Sequence, residues 1–148
     1  MMKQSSSVHL DVDVSDVYPW VNDLSRFPEW MPLVHAAVVA DGVSYVWVIE
    51  LRARVGVFAR SKRLRMRRTV NTESRVVFER DENDGKVHAA WVLEVLVDKD
   101  SQNTFGGCLV TMNLSYAGKL WTAGLLDKVL ASQIDAGKAG LALVVQRA

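Results

Sequence analysis

The residues of this chain that could perform chemistry are few and far apart in the sequence. The three histidines, His9, His35 and His88, lie beyond the i, i+3 or i+4 spacing that brings two side chains to one helix face. The single cysteine, Cys108, can form neither an internal disulfide nor a thiolate metal site. The sequence contains no P-loop, no glycine-rich dinucleotide turn and no G-x-S-x-G nucleophile motif. We therefore expect no metal and no cofactor.

One segment concentrates positive charge. Residues 52–71 include many arginines and no acidic residue. On a β-strand Arg63, Arg65 and Arg67 would project to the same side, where they could contact anionic lipid headgroups, nucleic acid or a partner protein. The alternative is a solvated outer face whose arginines pair across strands with acidic residues. Transient membrane contact through the basic strand Arg60–Arg68 is thus one hypothesis among several.

The opposite side of this strand would carry Arg60, Lys62 and Arg68, which share the parity of its apolar residues. Any of the three that points inward is a candidate to anchor a carboxylate or another polar head of a bound ligand. His35, just after the Pro32 turn, and Arg60 are the two candidates for a general acid or base. Neither has a partner in the sequence that would define a catalytic pair.

Composition restricts the class of protein. The chain has 148 residues, 49% of them hydrophobic and 24% charged, with a formal net charge of +1. These values predict one globular domain spanning 1–148, with residues 1–6 as a flexible tail. A near-neutral charge disfavours a nucleic-acid binder. Because no apolar run reaches the roughly 18 residues of a membrane span and no signal segment follows Lys3, we expect a cytoplasmic protein.

The pattern of apolar residues predicts a strand, a short helix, six further strands and a long terminal helix. The short helix would be capped by Asp16. Asp41-Gly42 is a strong hairpin signal, and Gly106-Gly107 indicates a bulge or a close backbone approach. The predicted strands are Val8–Val14, Val34–Ala40, Ser44–Arg54, Phe58–Val70, Arg75–Arg80, Val87–Asp98 and Phe105–Tyr116.

The terminal helix, predicted from Lys119 to about Arg147, is amphipathic. Its apolar side includes Leu126, Leu130, Ile134, Leu141 and Val145. Two glycines within it, at positions 137 and 140, would permit close packing or a slight bend. Everything upstream reads as sheet, so one face of this helix must be covered by one face of an antiparallel sheet.

Period-two alternation sorts the strand residues into two faces, and the face toward the helix is rich in Trp and Met. Such a face suits an irregular apolar ligand, and it suits an ordinary packed core equally well. If it lines a cavity, the predicted ligand-binding residues are Trp30, Tyr45, Trp47, Ile49, Leu64, Met66, Phe78, Trp91, Leu93, Met112, Leu126 and Leu130.

Three stretches resemble a known family: VHLDVDV near the N-terminus, DVYPWVNDLSRFPEWMP after it, and AGKLWTAGLLDKVL at the start of the terminal helix. Asp23–Trp30 is the most specific, being similar to a "D-hydrophobic-x-x-aromatic-P-x-W" pattern. Over essentially its whole length the chain resembles the SRPBCC or START-like superfamily, especially its bacterial polyketide cyclase/dehydrase-like and coenzyme-Q-binding-like branches.

The resemblance implies an α+β helix-grip fold. In that fold a curved seven-stranded antiparallel sheet wraps around a long C-terminal helix, short helices lie between strands 1 and 2, and a deep hydrophobic cavity separates sheet and helix. The resemblance places Phe27 and Trp30 near the cavity mouth. It supplies no universal catalytic residue.

Together these features predict a protein that binds or carries a small hydrophobic ligand, such as a lipid, a quinone or a polyketide-like molecule, without catalysing a reaction. The alternative is a polyketide cyclase or dehydratase that works in the same cavity, with His35 or an inward arginine such as Arg60 as acid or base. The sequence leaves open the identity of the ligand and the choice between monomer and homodimer.

Overall fold

The computed structural model describes residues 2–55, 57–117 and 123–147. Its strands form one antiparallel sheet in the order β1-β7-β6-β5-β4-β3-β2. The predicted helix-grip architecture is confirmed: the sheet packs against the C-terminal helix α2, and the short helices lie between β1 and β2. The elements are β1 Met2–Leu10, α1 Val14–Val21, a 3-10 helix Leu24–Glu29, β2 Val34–Val39, β3 Val46–Val55, β4 Phe58–Asn71, β5 Arg75–Arg80, β6 Trp91–Lys99, β7 Cys108–Tyr116 and α2 Ala123–Arg147.

The N-terminal segment corrects the prediction of a flexible tail. Residues 2–6 belong to β1, which pairs with β7 in a register running from Met2 opposite Tyr116 to Leu10 opposite Cys108. Ser5 Oγ donates to Asn113 Oδ1 at 2.6 Å, beside the central pairs of this ladder. A serine-rich sequence reads as unstructured, but here its hydroxyl groups serve as cross-strand partners.

Strand β1 ends earlier than the alternation predicts. The predicted strand ran to Val14, whereas the observed strand stops at Leu10 and Val14 opens α1. The reason is that Val14, Val17 and Val21 also satisfy the helical period. Asp13 is the N-cap in place of the predicted Asp16, whose carboxylate accepts a hydrogen bond from the Asp13 backbone N–H at 3.2 Å. Asp13 and Asp16 together form a capping box at the N-terminus of α1.

Two later strands begin further along the chain than predicted. Strand β6 starts at Trp91 in place of Val87, and β7 starts at Cys108 in place of Phe105. Both Val87 and Phe105 are almost fully exposed in loops, so apolar character alone misplaced these boundaries. Gly107 has φ +90°, and a Cβ there would lie 2.5 Å from the Leu10 carbonyl oxygen, which is the predicted close backbone approach.

His9 ties the end of β1 to the loop between β6 and β7. Its Nδ1 lies 2.7 Å from Asp100 Oδ2 and its Nε2 lies 2.8 Å from Asp11 Oδ1. Carboxylate oxygens only accept hydrogen bonds, so both ring nitrogens are satisfied as donors when the imidazole is protonated. Hydrogen bonds to Asp11 first and to Asp100 second raise the pKa of His9 above its ordinary value.

This arrangement predicts a pH-dependent contribution to stability. Because the folded state raises the His9 pKa, the stabilisation should be fully present below about pH 6.5 and should disappear as the pH rises through the folded pKa. Urea unfolding of wild type and His9→Gln should therefore differ more at pH 5.5 than at pH 8.5. His35→Gln, which changes an exposed histidine, is the control. An equal difference at both pH values would contradict the protonated bridge.

Two glycines bring α2 into close contact with the segment before β2. A Cβ on Gly140 would collide with the carbonyl oxygen of Trp30, and a Cβ on Gly137 would lie 2.8 Å from Sδ of Met31. Of the two roles predicted for these glycines, the contacts support close packing. The described α2 begins at Ala123, so the predicted start at Lys119 lies outside the described residues.

Candidate functional site

A small cavity lies between the inner face of the sheet and α2. Its volume is about 40 Å³ and every side chain that lines it is apolar. That volume lies far below the roughly 300 to 1,000 Å³ of typical small-molecule sites. The lining residues are Leu24, Met31, Leu33, Val34, Ile49, Leu51, Leu64, Met66, Trp91, Leu93, Leu114 and Ile134.

Strand alternation positions most of this lining. On the central strands the lining residues follow at every second position, so Ile49 and Leu51 on β3 face the same way as Leu64 on β4. The register places Ile49 opposite Leu64. Helix α2 contributes Ile134, which is 2% exposed. The cavity is therefore built by the period of the strands and closed by one side of the helix.

Five of the predicted ligand-binding residues line the cavity, namely Ile49, Leu64, Met66, Trp91 and Leu93. All five lie on β3, β4 and β6, and they were predicted from strand alternation alone. This shows that the inner face was assigned correctly on these strands, because a register error of one residue would have reversed it.

A second group of predicted residues is buried beside the cavity without lining it. Phe78 packs edge-on against Trp47, with ring centroids 5.6 Å apart, and against Phe27 at 5.7 Å. Phe27 also contacts Trp30 at 4.6 Å. We call these four residues the aromatic cluster; it fills one end of the interior. Met112 and Leu130 are also buried away from the cavity lining.

Both tryptophans of the aromatic cluster have polar partners. Trp47 Nε1 donates to Ser25 Oγ at 3.0 Å, and Trp30 Nε1 donates to the backbone carbonyl of Trp20 at 3.0 Å. The first bond ties β3 to the Leu24–Glu29 helix, and the second ties the end of that helix to α1. The predicted position of Phe27 and Trp30 at the cavity mouth is not supported, because both are buried at 2% exposure or less.

One predicted residue, Tyr45, stands apart from this interior. Tyr45 precedes β3 and is 40% exposed, with the guanidinium of Arg67 5.0 Å from its ring centroid. Its parity matched the inner face, but the strand begins only at Val46, so alternation does not reach it. The side chain of Leu126 lies outside the described residues.

Strand alternation could not identify the lining residues that lie outside the strands or at the first position of one. Leu24, Met31 and Leu33 lie in or after the Leu24–Glu29 helix, and Val34 opens β2. An available signal was the density of apolar residues around Met31 in the stretch that resembles the family. That stretch was predicted as a short helix or loop, and of its residues only Trp30 was named for the wall, whereas Leu24 and Met31 line the cavity.

The two candidate acid-base residues are at the surface. His35 on β2 and Arg60 on β4 are both exposed, and neither lines the described cavity. An acid-base role for either residue stays a prediction. Among the described residues, no group of three or more His, Cys, Asp or Glu side chains could hold a metal ion.

Two of the outward arginines of β4, Arg65 and Arg67, are engaged in ion pairs. Arg65 lies 3.3 Å from Asp41 and its Nη1 donates to the Asp81 carbonyl oxygen at 2.7 Å. Arg67 lies 3.7 Å from Asp81. These contacts favour the solvated, ion-paired face over a surface reserved for a partner. Within the described residues, no helix has both the length and the hydropathy to cross a bilayer.

Charged residues on β4 and β5 border the cavity on the inner face. Arg80 pairs in register with the cavity residue Met66, and Lys62 pairs with the cavity residue Leu51. Arg80 Nε donates to Glu82 at 2.7 Å. Burial first, and the charge of Arg80 second, lower the pKa of Lys62, while Glu82 acts in the opposite direction. We call Lys62, Arg80 and Glu82 the cationic group.

Arg68 is the third inward candidate and has a structural role. Its Nη1 donates to the backbone carbonyl of Asn22 at 2.6 Å, and its guanidinium lies 5.6 Å from the Trp47 ring centroid. It thereby connects β4 to the end of α1 across the aromatic cluster. Of the three inward candidates, Lys62 is the one with a cavity residue opposite it on β3, Leu51, and another two positions along β4, Leu64.

Several solved structures have the same fold as this chain. A START superfamily protein from Mycobacterium smegmatis superposes with a TM-score of 0.74 at 12% identity, over 98% of this chain and 97% of its own. The Zhui aromatase/cyclase from Streptomyces sp. R1128 gives a TM-score of 0.65 at 11% identity, over 99% and 94%. A protein from Thermobifida fusca gives 0.64 at 22% identity, over 99% and 95%. These likenesses establish the fold.

Sequence comparison adds the family. No curated protein matches the chain significantly. The sequence profile of the family described as polyketide cyclase / dehydrase and lipid transport matches residues 1–146. Since that match covers nearly the whole sequence, and the fold agrees with it, the chain belongs to the polyketide cyclase/dehydrase and lipid transport family.

Proposed function

We propose that this protein binds a small hydrophobic molecule between the inner face of its sheet and α2, and that binding or carrying this molecule is its function. The observation that carries the proposal is the wholly apolar cavity at the position where this fold grips its helix. A ligand of lipid, quinone or polyketide type would bury apolar surface there, at about 25 cal/mol for each Å².

A ligand must enlarge this cavity, because about 40 Å³ does not accommodate a molecule of that class. Two methionines in the wall make enlargement feasible. Met31 and Met66 have unbranched side chains that change rotamer more readily than Leu or Ile. A ligand that buries about 300 Å² of apolar surface would gain about 7.5 kcal/mol. The free-energy cost of displacing the wall residues reduces this gain.

Titration with neutral ligands tests the proposal. We expect 1-decanol and a naphthoquinone to change the tryptophan fluorescence saturably, because Trp91 lines the cavity and Trp47 lies beside it. Leu64→Phe, which fills the cavity from β4, should weaken binding by about tenfold or more, which corresponds to about 1.4 kcal/mol. Unchanged emission with every neutral ligand would indicate an ordinary packed core and would contradict the proposal.

Two further variants keep this test interpretable. Leu93→Phe changes a partly buried wall position and serves if Leu64→Phe fails to fold, since overpacking costs about 1 to 3 kcal/mol. Leu109→Phe changes a leucine that is 38% exposed on β7, and its affinity should match wild type. Equal weakening by Leu109→Phe would show that the effect does not come from the cavity.

A cyclase or dehydratase activity is the second candidate, favoured by the family description, which names those reactions. Such an enzyme needs a titratable group in contact with its substrate. None of the side chains that line the described cavity is titratable, so binding is the better supported function. Turnover of an aromatic polyketide that is lost in His35→Ala or Arg60→Ala while affinity is retained would reverse this order.

A further inference from the structure

The cationic group adjoins the apolar cavity, because Lys62 and Arg80 each pair with a cavity residue. Lys62 lies in register with Leu51 and two residues from Leu64, and both leucines line the cavity. Side chains two residues apart on a strand share a face and are about 7 Å apart. The apolar part of a molecule whose head group binds to the Lys62 ammonium would therefore lie next to the wall formed by Leu51 and Leu64.

Lys62 is the cation of this group that is left for a ligand. Arg80 is almost buried, at 9% side-chain exposure, and its guanidinium already contacts Glu82, the Ala89 carbonyl and His88. Within the described residues no hydrogen bond or ion pair engages the Lys62 ammonium. Arg80 is thus fixed by its neighbours, and Lys62 is available.

The charges of this group sum to one unit of positive charge. Lys62 and Arg80 contribute two positive charges, and Glu82, whose side chain is 17% exposed, contributes one negative charge. Partial burial first, and the positive charge of Arg80 second, disfavour the ammonium form of Lys62, as the lowered pKa of Lys62 indicates. One anionic group next to Lys62 would offset both effects, whereas a dianion would exceed the local charge.

We propose that the ligand of this protein is an anionic amphiphile, whose carboxylate binds to Lys62 and whose apolar chain occupies the cavity beyond Leu51 and Leu64. This inference rests on the proposed function, because it names the class of molecule that the cavity takes. The distance along β4 from Lys62 to Met66 is about 13 Å, comparable to an extended chain of about ten carbons.

The competing interpretation is a lysine whose stem covers apolar surface while its ammonium stays in water. The two interpretations differ in one measurable quantity, the preference of the protein for an anionic head over a neutral head on the same chain. Decanoate and 1-decanol form such a pair. Binding of each is measured at neutral pH by tryptophan fluorescence and by calorimetry.

In wild type, decanoate should bind about tenfold more tightly than 1-decanol, as expected for a hydrogen bond between charged groups. In Lys62→Met, which keeps an unbranched apolar side chain, this ratio should fall to about one while the affinity for 1-decanol stays within about twofold. Lys62→Arg should retain the preference. Arg63→Met, which removes a neighbouring charge on the exposed side of β4, should also retain it.

The outcomes separate this inference from the proposed function. If 1-decanol binds and decanoate binds no better, or if Lys62→Met keeps the preference, the carboxylate site is wrong and the apolar cavity stands. If neither compound binds wild type, the proposed function fails and this inference fails with it. Tighter binding of decyl phosphate than of decanoate would overturn the choice of a carboxylate and indicate a phosphate head.

Discussion

Replacing Phe78 with alanine is expected to lower the free energy of unfolding by about 4 kcal/mol. Phe78 is fully buried on β5, and its ring meets Phe27 and Trp47 edge-on. The substitution removes the apolar transfer energy of the ring, leaves a void, and eliminates two aromatic pairs, each contributing about 0.5 to 1.5 kcal/mol. Domains of this size are stable by about 5 to 15 kcal/mol, so the loss is a large fraction of the total.

Urea unfolding followed by circular dichroism measures this loss. Phe105→Ala is the matched control, because Phe105 is 97% exposed in the loop before β7 and its removal should change stability by no more than about 0.5 kcal/mol. Phe78→Leu, which retains most of the volume, should cost about 1.5 kcal/mol or less and serves if the alanine variant does not fold. Similar values for Phe78→Ala and Phe105→Ala would show that the aromatic cluster does not organise the core.

Replacing Gly140 with alanine should destabilise the protein by about 3 kcal/mol, at the upper end of the usual cost of overpacking. The new Cβ would collide with the carbonyl oxygen of Trp30, and a backbone atom cannot move aside without moving its whole segment. Helix propensity acts in the opposite direction, since alanine is better than glycine in a helix interior by about 1 kcal/mol. The sign of the measured change therefore shows which effect is larger.

Gly137→Ala is the comparison that isolates the contact with the backbone. Its Cβ would meet the end of the Met31 side chain, at 2.8 Å from Sδ, and that flexible group can move. The gain in helix propensity should then nearly cancel the remaining cost, for a net change of less than about 1 kcal/mol. Stabilisation by both variants would mean that α2 does not pack against Trp30 as closely as described.

The fold could be predicted from the sequence because its signals are local and repeated. Turn chemistry located the β2–β3 hairpin, where Asp41 and Gly42 both have positive φ. Period two identified the inner face on three central strands. Predictions failed where two patterns share residues, as at Val14, or where exposed apolar residues extended a strand pattern into a loop, as at Phe105.

The candidate site was only partly predictable, for a physical reason. Parity states which side of a strand a residue occupies, and it does not distinguish a residue that lines a space from one that fills it. Phe78 and Ile49 have equivalent inward positions, yet Phe78 packs in the aromatic cluster and Ile49 lines the cavity. The wall contributed by Met31 depends on how an irregular segment folds against α2, which no period encodes.

The close contact between Gly140 and Trp30 has a consequence for any tilt of α2. If α2 tilts about this contact, the displacement of each helix residue grows with its distance from Gly140. Ile134 and Leu130 lie about 9 and 15 Å before Gly140 along the axis. A tilt on the order of 10° would therefore move them by about 1.6 and 2.6 Å. Space for a ligand would appear first beside Leu130 and last beside Gly140, so the cavity would widen as a wedge.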